Sequence, residues 1–416
     1  MSHAAELTAR GEWRRGWPLV ALTAVGLTCA PSTLPVYTIG VFVTPLSAEF
    51  GWGRGAIQSA ILFSTGLGAV SAPIAGRLVK RFGVRWTVLP GLAGITLALL
   101  AAATISGSLW QLYACYALMA LLGAGAGGVA WSSLITGAFT RTRGLALGLA
   151  LSGTGLSAIL MPQIAAITLA AYGWRAAYMA LAAFALLVVL PLCVLGLPRR
   201  RSVERSDAVA VAEQPGLTVH EVVRGWRFWV LGLATAATYF AVGGAIPNLV
   251  PALTDGGIPA TRAVSALGAL GGSIIVARIA VGALLDRFWG PAIAALVLLP
   301  AAAACVVFTL PASLPVYAAA AGLLGAATGM ELDVLAFLAA RYFGLRDFSR
   351  VYARLYMFLA APAGLAPLAF GGLFDLTGSY RLPFLLAAAL LVLAAGALLT
   401  LGRYPPAFAS NRRDEG

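Results

Sequence analysis

Residues 76–85 read Gly76-Arg77-Leu78-Val79-Lys80-Arg81-Phe82-Gly83-Val84-Arg85, and 206 residues further on Gly282-Ala283-Leu284-Leu285-Asp286-Arg287-Phe288 repeats the Gly-x-Leu-x-x-Arg-Phe core. Two other landmarks keep that offset. Pro45, Glu49 and Gly51 fall on Pro251, Asp255 and Gly257, and Trp174-Arg175 falls on Tyr380-Arg381. Three separated landmarks in one register mark an internal duplication, so whatever the first half builds the second half builds again.

What is duplicated is a set of membrane crossings. The chain is 60% hydrophobic and only 10% charged, with a mean hydropathy of +0.90. No soluble domain of 416 residues could cover that much apolar surface. Apolar runs between charged or turn residues predict twelve spans, near 17–43, 54–76, 86–105, 110–136, 144–170, 175–197, 227–252, 263–285, 291–310, 313–340, 350–374 and 381–402. Each is long enough to cross a ~30 Å hydrocarbon core. The first run is too long for a signal-peptide core and reads as a retained span. The expected fold is therefore an all-α membrane protein of twelve transmembrane helices in two six-helix pseudo-repeats. Residues 17–197 form the first half and 227–403 the second, with a linker at 198–226 and tails at 1–16 and 404–416.

Charge sets the orientation. With the N-terminus in the cytoplasm, 23 of the 28 basic residues fall inside and four outside, namely Arg54, Arg175, Arg262 and Arg381. Under the positive-inside rule this places both termini and the linker in the cytoplasm. It also accounts for the basic composition more simply than a nucleic-acid partner does. The four cysteines fall inside apolar runs without metal-ligand spacing, and both histidines, His3 and His220, lie outside the spans. No metal, cofactor or catalytic triad is therefore expected, and an enzyme is disfavoured. A membrane receptor is disfavoured for want of a sizeable soluble domain to carry a signal.

The remaining basic residue is Arg278, inside the apolar run 265–285. An arginine near a helix centre costs at least ~2.5–3.5 kcal/mol on insertion scales and is a functional candidate by default. Arg278 lies eight residues before Asp286, and Asp333 and Glu331 lie eight and ten before Arg341. At 1.5 Å per residue all three sit ~12–15 Å deep, on the eighth and tenth spans. Residues two apart point ~200° apart, so Glu331 and Asp333 cannot both face one partner squarely. Asp333 continues the stripe Gly322, Gly325 and Gly329, a close-packing or cavity-lining face, and is slightly favoured as the residue near the cavity. Arg278 fits a substrate carboxylate, with one acid holding it when the site is empty and taking up a proton when substrate enters. The bland alternative is a permanent ion pair tethering two helices. Tyr37, Asn248, Trp131 and Tyr356 are further candidate substrate contacts, each equally able to bond a neighbouring backbone group.

The repeated loop resembles the signature Gly-x-Leu-x-Asp-Arg-x-Gly-x-Arg of the major facilitator superfamily, with Lys80 in place of the aspartate in the first copy. The run from Phe139 through Arg141, Arg143 and Gly148 to Gly153 is similar to a motif of monocarboxylate transporters and oxalate/formate antiporters. Gly40-Val41-Phe42, Glu49-Phe50-Gly51-Trp52, Tyr172-Gly173-Trp174-Arg175 and Arg341-Tyr342-Phe343-Gly344 look like bacterial members of that group, and Ala277-Arg278-x-x-x-Gly282 matches its eighth helix. The resemblance implies a major facilitator fold, a substrate arginine at Arg278, and a gating role for Gly76, Arg81, Gly83, Arg141, Arg143, Asp286 and Arg287. It departs in two places: Ile274 stands where animal members have an aspartate, and residues 351–374 hold no lysine where oxalate/formate antiporters have one.

These readings predict a secondary transporter of the bacterial inner membrane that works as a monomer by alternating access. Its partners would be a small monocarboxylate, protons and the lipid bilayer. The alternatives are an anion exchanger, or an exporter of drugs or metabolites with the same fold.

Overall fold

A computed structural model of the chain describes residues 9–139, 142–198, 216–285 and 287–405. The regular elements among them are helices, apart from an isolated bridge between Gly216 and Gly344. An apolar chain requires this, because in hydrocarbon every N–H and C=O must bond within its own segment. The first half contains α1 (Ala9–Leu27), α2 (Leu34–Phe50), α3 (Arg54–Gln58), α4 (Ala60–Phe82), α5 (Arg85–Ala102), α6 (Leu109–Leu122), α7 (Gly128–Ala138), α8 (Arg143–Leu151), α9 (Gly153–Phe184) and α10 (Leu190–Gly196). The second contains α11 (Val219–Arg224), α12 (Trp226–Asp255), α13 (Ala260–Leu285), α14 (Gly290–Val307), α15 (Leu314–Phe343), α16 (Phe348–Thr377) and α17 (Arg381–Leu399).

By length and composition nine of the described helical stretches could cross a membrane, or ten if the bent pair 54–68 and 70–82 is one span. That count falls short of the expected twelve for two physical reasons. The stretch Arg143–Gly196 is counted once, yet Gly173 inside it has φ 84° and ψ 174°, where only glycine is unstrained, so the chain turns there. The first apolar run is split, which leaves α2 too short to be counted. The expected single helix over 17–43 is thus corrected: it starts at Ala9 and is interrupted between Leu27 and Leu34.

Proline and threonine make that interruption. Pro31 and Pro35 lack the N–H that a continuous helix needs. The Thr28 hydroxyl donates to the Val25 carbonyl at 2.6 Å and Thr33 to Leu27 at 3.3 Å, while Ser157 of α9 donates to the Thr28 carbonyl at 2.8 Å. The expected continuous helix over 110–136 is also broken, by a 3-10 turn at Gly123–Ala126 between α6 and α7. The two breaks are neighbours: a methyl group at Gly123 would stand 3.2 Å from Pro31 Cβ.

The chain entering the second half is clipped to the turn between α15 and α16. Leu217 N–H donates to the Phe343 carbonyl at 2.9 Å and Val219 N–H to Asp347 Oδ2 at 3.2 Å. Thr218 and Glu221 close a capping box on α11, and the Thr218 backbone N–H holds the Glu221 carboxyl below its ordinary range. Apolar side chains such as Leu195, Val276 and Leu393 are left on the outer surface, as a lipid-facing helix requires.

Candidate functional site

The site is built on the packing of α13 against α15. A methyl group at Gly329 would lie 2.6 Å from the Ile274 carbonyl oxygen, and one at Gly325 would collide with that of Leu270. The glycine stripe is therefore a close-packing face that seats the two helices backbone to backbone. Positions 270, 274 and 278 of α13 pair in order with 325, 329 and 333 of α15, one turn at a time. Arg278 and Asp333 are the next rung after Ile274 and Gly329.

At that rung Arg278 Nε lies 3.8 Å from Asp333 Oδ2. This is an ion pair too long to be a hydrogen bond. Arg278 is 8% exposed, its Nε has no hydrogen-bond partner, and no hydrogen bond from its guanidinium is formed among the described residues. A buried cation whose fork of donors is unfilled is an anion site in waiting. Asp333 keeps 35% of its side chain exposed.

Glu331 points elsewhere, as the ~200° between the two positions demands. It is buried, with Oε1 unbonded, beside Tyr239 of α12. The two residues share a small cavity of about 30 Å³ with Thr235 and Thr238. Such a volume holds one or two waters. Both threonine hydroxyls bond back to their own helix, to the Leu231 and Ala234 carbonyls.

Four tyrosines surround this cluster. Tyr37 of α2 is buried within electrostatic range of both Arg278 and Glu331. Tyr352 and Tyr356 of α16 are neighbours, with ring centroids 6.5 Å apart and planes tilted by 46°, and Tyr352 is within range of Asp333. Tyr239 is in turn within range of Glu331, Tyr352 and Tyr356. The cluster thus draws on α13, α15, α12 and α16 of the second half and on α2 of the first. Sequence reasoning overlooked Tyr239; its signal was the same as that of Tyr37, a phenol in the middle of an apolar span.

Two other candidate contacts are bonded within the protein. Asn248 is fully buried in an amide pair with Gln58, which donates to Oδ1 at 2.6 Å and accepts from Nδ2 at 2.8 Å, and Nδ2 also donates to the Gly244 carbonyl. Both of its N–H donors are thereby used, and the pair with Gln58 joins the halves. Trp131 is likewise fully buried, and its indole N–H donates at 3.0 Å to the Ala126 carbonyl left free by the break between α6 and α7.

The halves are fastened at one end of the molecule. Arg54 Nη1 and Nη2 donate to the Asp255 carboxylate at 2.6 and 3.0 Å, and Nη1 reaches the Tyr380 hydroxyl at 3.2 Å. The guanidinium also lies 3.9 Å from the centre of the Phe374 ring. Asp375 accepts from the N–H groups of Arg54 and Gly55 at 2.9 and 2.8 Å and so caps α3 from the other half. Among the described residues every ion pair and side-chain hydrogen bond between the halves lies here or at the Gln58–Asn248 pair below it. The repeat is used asymmetrically. Glu49 binds Arg175 at 2.8 Å and Trp174 at 2.5 Å within its own half, whereas Asp255, its counterpart, is taken by Arg54 from the opposite half.

Two bundles meeting around a buried, unsatisfied charge agree with what comparison finds. Residues 25–330 match the family described as Major Facilitator Superfamily. The chain belongs to that superfamily. Monocarboxylate transporter 13 of Bos taurus is 29% identical over 391 residues, spanning 88% of this chain and 85% of that protein. The oxalate:formate antiporter of Oxalobacter formigenes is 29% identical over 231 residues, 55% of this chain and 53% of its own. A solved bacterial homologue of the human lysosomal transporter Spinster, inward-facing and occupied, superposes with a TM-score of 0.69 at 19% identity over 94% of this chain and 98% of that one, a likeness of fold. The chain is a multi-pass membrane transport protein and not an enzyme.

The superfamily's loop signature lies at the end opposite the fastened one. Gly83, with φ 86°, stops α4 and donates to the Val79 carbonyl at 2.8 Å. Gly76 packs within its own half, against Val129. Arg81 is exposed over the Phe82 ring with no carboxylate partner among the described residues. Arg143 bonds the Phe139 carbonyl at 3.1 Å, and Arg287 is exposed. Arg141 and Asp286 lie outside the described residues.

Proposed function

We propose that this transporter carries a small monocarboxylate together with one proton by alternating access across a bacterial inner membrane, its termini in the cytoplasm. The observation that carries the reading is Arg278, a buried guanidinium with no hydrogen bond to protein, 3.8 Å from a partly accessible carboxylate. A single cation suits a single carboxylate, because a dianion would leave one charge unpaired at depth.

Charge neutrality gives the stoichiometry. A buried carboxylate oxygen without a donor is costly when ionised, which supports a protonated Glu331. The empty site is then neutral, with Arg278 balanced by Asp333. An incoming carboxylate takes Arg278 through two parallel N–H···O bonds and displaces Asp333. Neutrality returns when Asp333 takes a proton, so one proton enters per monocarboxylate. Tyr37, Tyr239, Tyr352 and Tyr356 supply hydroxyls for the rest of the substrate and for the proton's path. With residues 51–54 outside, the fastened end is the outer one, and the reading expects the site to release its substrate toward the cytoplasm.

Uptake of labelled lactate, pyruvate and formate into proteoliposomes under an imposed pH gradient tests this. Acid outside should drive accumulation of at least one of them, and Arg278→Lys should abolish it while the protein stays folded. Uptake that ignores the pH gradient and requires an internal carboxylate would instead make the chain an exchanger.

A further inference from the structure

A second, larger cavity lies far from Arg278. It has a volume of about 610 Å³ and opens to the surface where α13 and α15 end and where the chain leaves α17. Arg287, Arg341 and Arg403 all line it, with Trp289, Phe337 and Tyr404 among its aromatic walls. None of the three guanidiniums has a carboxylate partner among the described residues.

The arrangement is held in place. Tyr342 donates to the Gly402 carbonyl at 2.5 Å, and the Tyr404 hydroxyl accepts from Gly290 N–H, at the start of α14, at 2.8 Å. These two bonds fix Arg403 at the cavity. Arg341 lies 5.3 Å from the Phe337 ring centre and 5.7 Å from that of Tyr404, which orients its guanidinium on the aromatic wall. Trp289 Nε1 is buried without a hydrogen-bond partner. Three like charges gathered on one concave wall repel one another unless an anion sits between them, and planar guanidinium forks match phosphate oxygens.

We infer that this cavity binds a phosphate ester, with the arginines gripping its oxygens and the aromatic wall covering its organic part. Of these residues the transport reading uses only Arg287, as a gating candidate; Arg341 and Arg403 have no part in it. Their height argues for the headgroup of an anionic phospholipid, since all three arginines stand where long apolar helices end, the level at which headgroups lie. A soluble phosphate ester would satisfy the same chemistry.

Thermal unfolding of the full-length protein in nonionic detergent distinguishes them. Added phosphatidylglycerol should raise the Tm by roughly 3–5 °C, and phosphatidylcholine should not. The double variant Arg341→Gln/Arg403→Gln should lose that rise while keeping the wild-type Tm in detergent alone. If inorganic phosphate or glycerol 3-phosphate reproduces the rise, again only in wild type, the site stands and its ligand is soluble. If none of these probes shifts the wild type, or the double variant keeps the full shift, the inference is overturned. Should the double variant not fold, Arg403→Gln alone, read by native mass spectrometry of retained phosphatidylglycerol, decides: retention equal to wild type overturns the site.

Discussion

Asp333 comes within 3.8 Å of Arg278 because Gly329, one turn earlier on α15, lets that helix ride on the Ile274 carbonyl of α13. The ion pair is a by-product of backbone packing. A side chain at position 329 would lift Asp333 away from Arg278 without touching either residue.

Gly329→Ala should therefore harm both stability and transport. Its methyl would stand 2.6 Å from a carbonyl oxygen that cannot swing aside. Overpacking of this kind costs about 1–3 kcal/mol. Gly322→Ala, whose methyl meets the movable Ser273 hydroxyl at 3.0 Å, should be milder. Thermal unfolding and uptake of the two variants give the comparison, and equal effects would contradict the packing account.

Arg278→Lys keeps the charge and loses the fork. Bonds to a charged group contribute ~1.5–3 kcal/mol, so carboxylate affinity should fall roughly 10- to 100-fold. A merely structural pair with Asp333 would tolerate lysine. Binding measured by thermal shift against a carboxylate panel separates the two cases.

The two acids should differ in kind. Glu331→Gln mimics a permanently protonated group, so substrate exchange and pH-driven uptake should both survive. Asp333→Asn removes the proposed proton acceptor and the carboxylate nearest Arg278, so uptake should stop responding to a pH gradient while exchange of internal for external carboxylate persists. The opposite pattern would exchange their roles.

Arg54→Gln should loosen the fastened end. The side chain holds Asp255 with two charge-assisted bonds. At ~1.5 kcal/mol or more each, their loss moves a two-state balance on the order of 100-fold. Spin labels on the exposed residues Ser106 and Ser313 should then report a longer distance population than in wild type. An unchanged distribution would mean that the glycine contacts, such as Gly55 against Gly371 and Gly372, hold this end by themselves.

The sequence made the duplication, the apolar crossings and the depth of Arg278, Glu331 and Asp333 legible, because each rests on spacing along one chain. It favoured Asp333 only slightly over Glu331, since the choice depends on how α15 is rotated against α13, and that rotation is set by contacts such as Gly329 against Ile274. It did not show the protein partners of Asn248 and Trp131 for a related reason. A polar group in a span must find a partner, and sequence does not reveal whether Gln58 or the freed carbonyl of Ala126 is already there. It also marked Ile274 as a departure, standing where animal relatives have an aspartate. The neighbouring helix brings Asp333 to the next rung, within reach of the same arginine.

Asp255 has a second basic residue within its own half. Glu49 binds Arg175 at the turn of the first half, and the matching arginine of the second half, Arg381, is exposed with no carboxylate partner among the described residues. By analogy with the Glu49–Arg175 pair, Arg381 is the residue expected to receive this acid when Arg54 withdraws. The hold between the halves is then set by the difference between two competing suitors and not by the full strength of either. Removing the unsuccessful one, by Arg381→Gln, should tighten the grip and shorten the Ser106–Ser313 distance population.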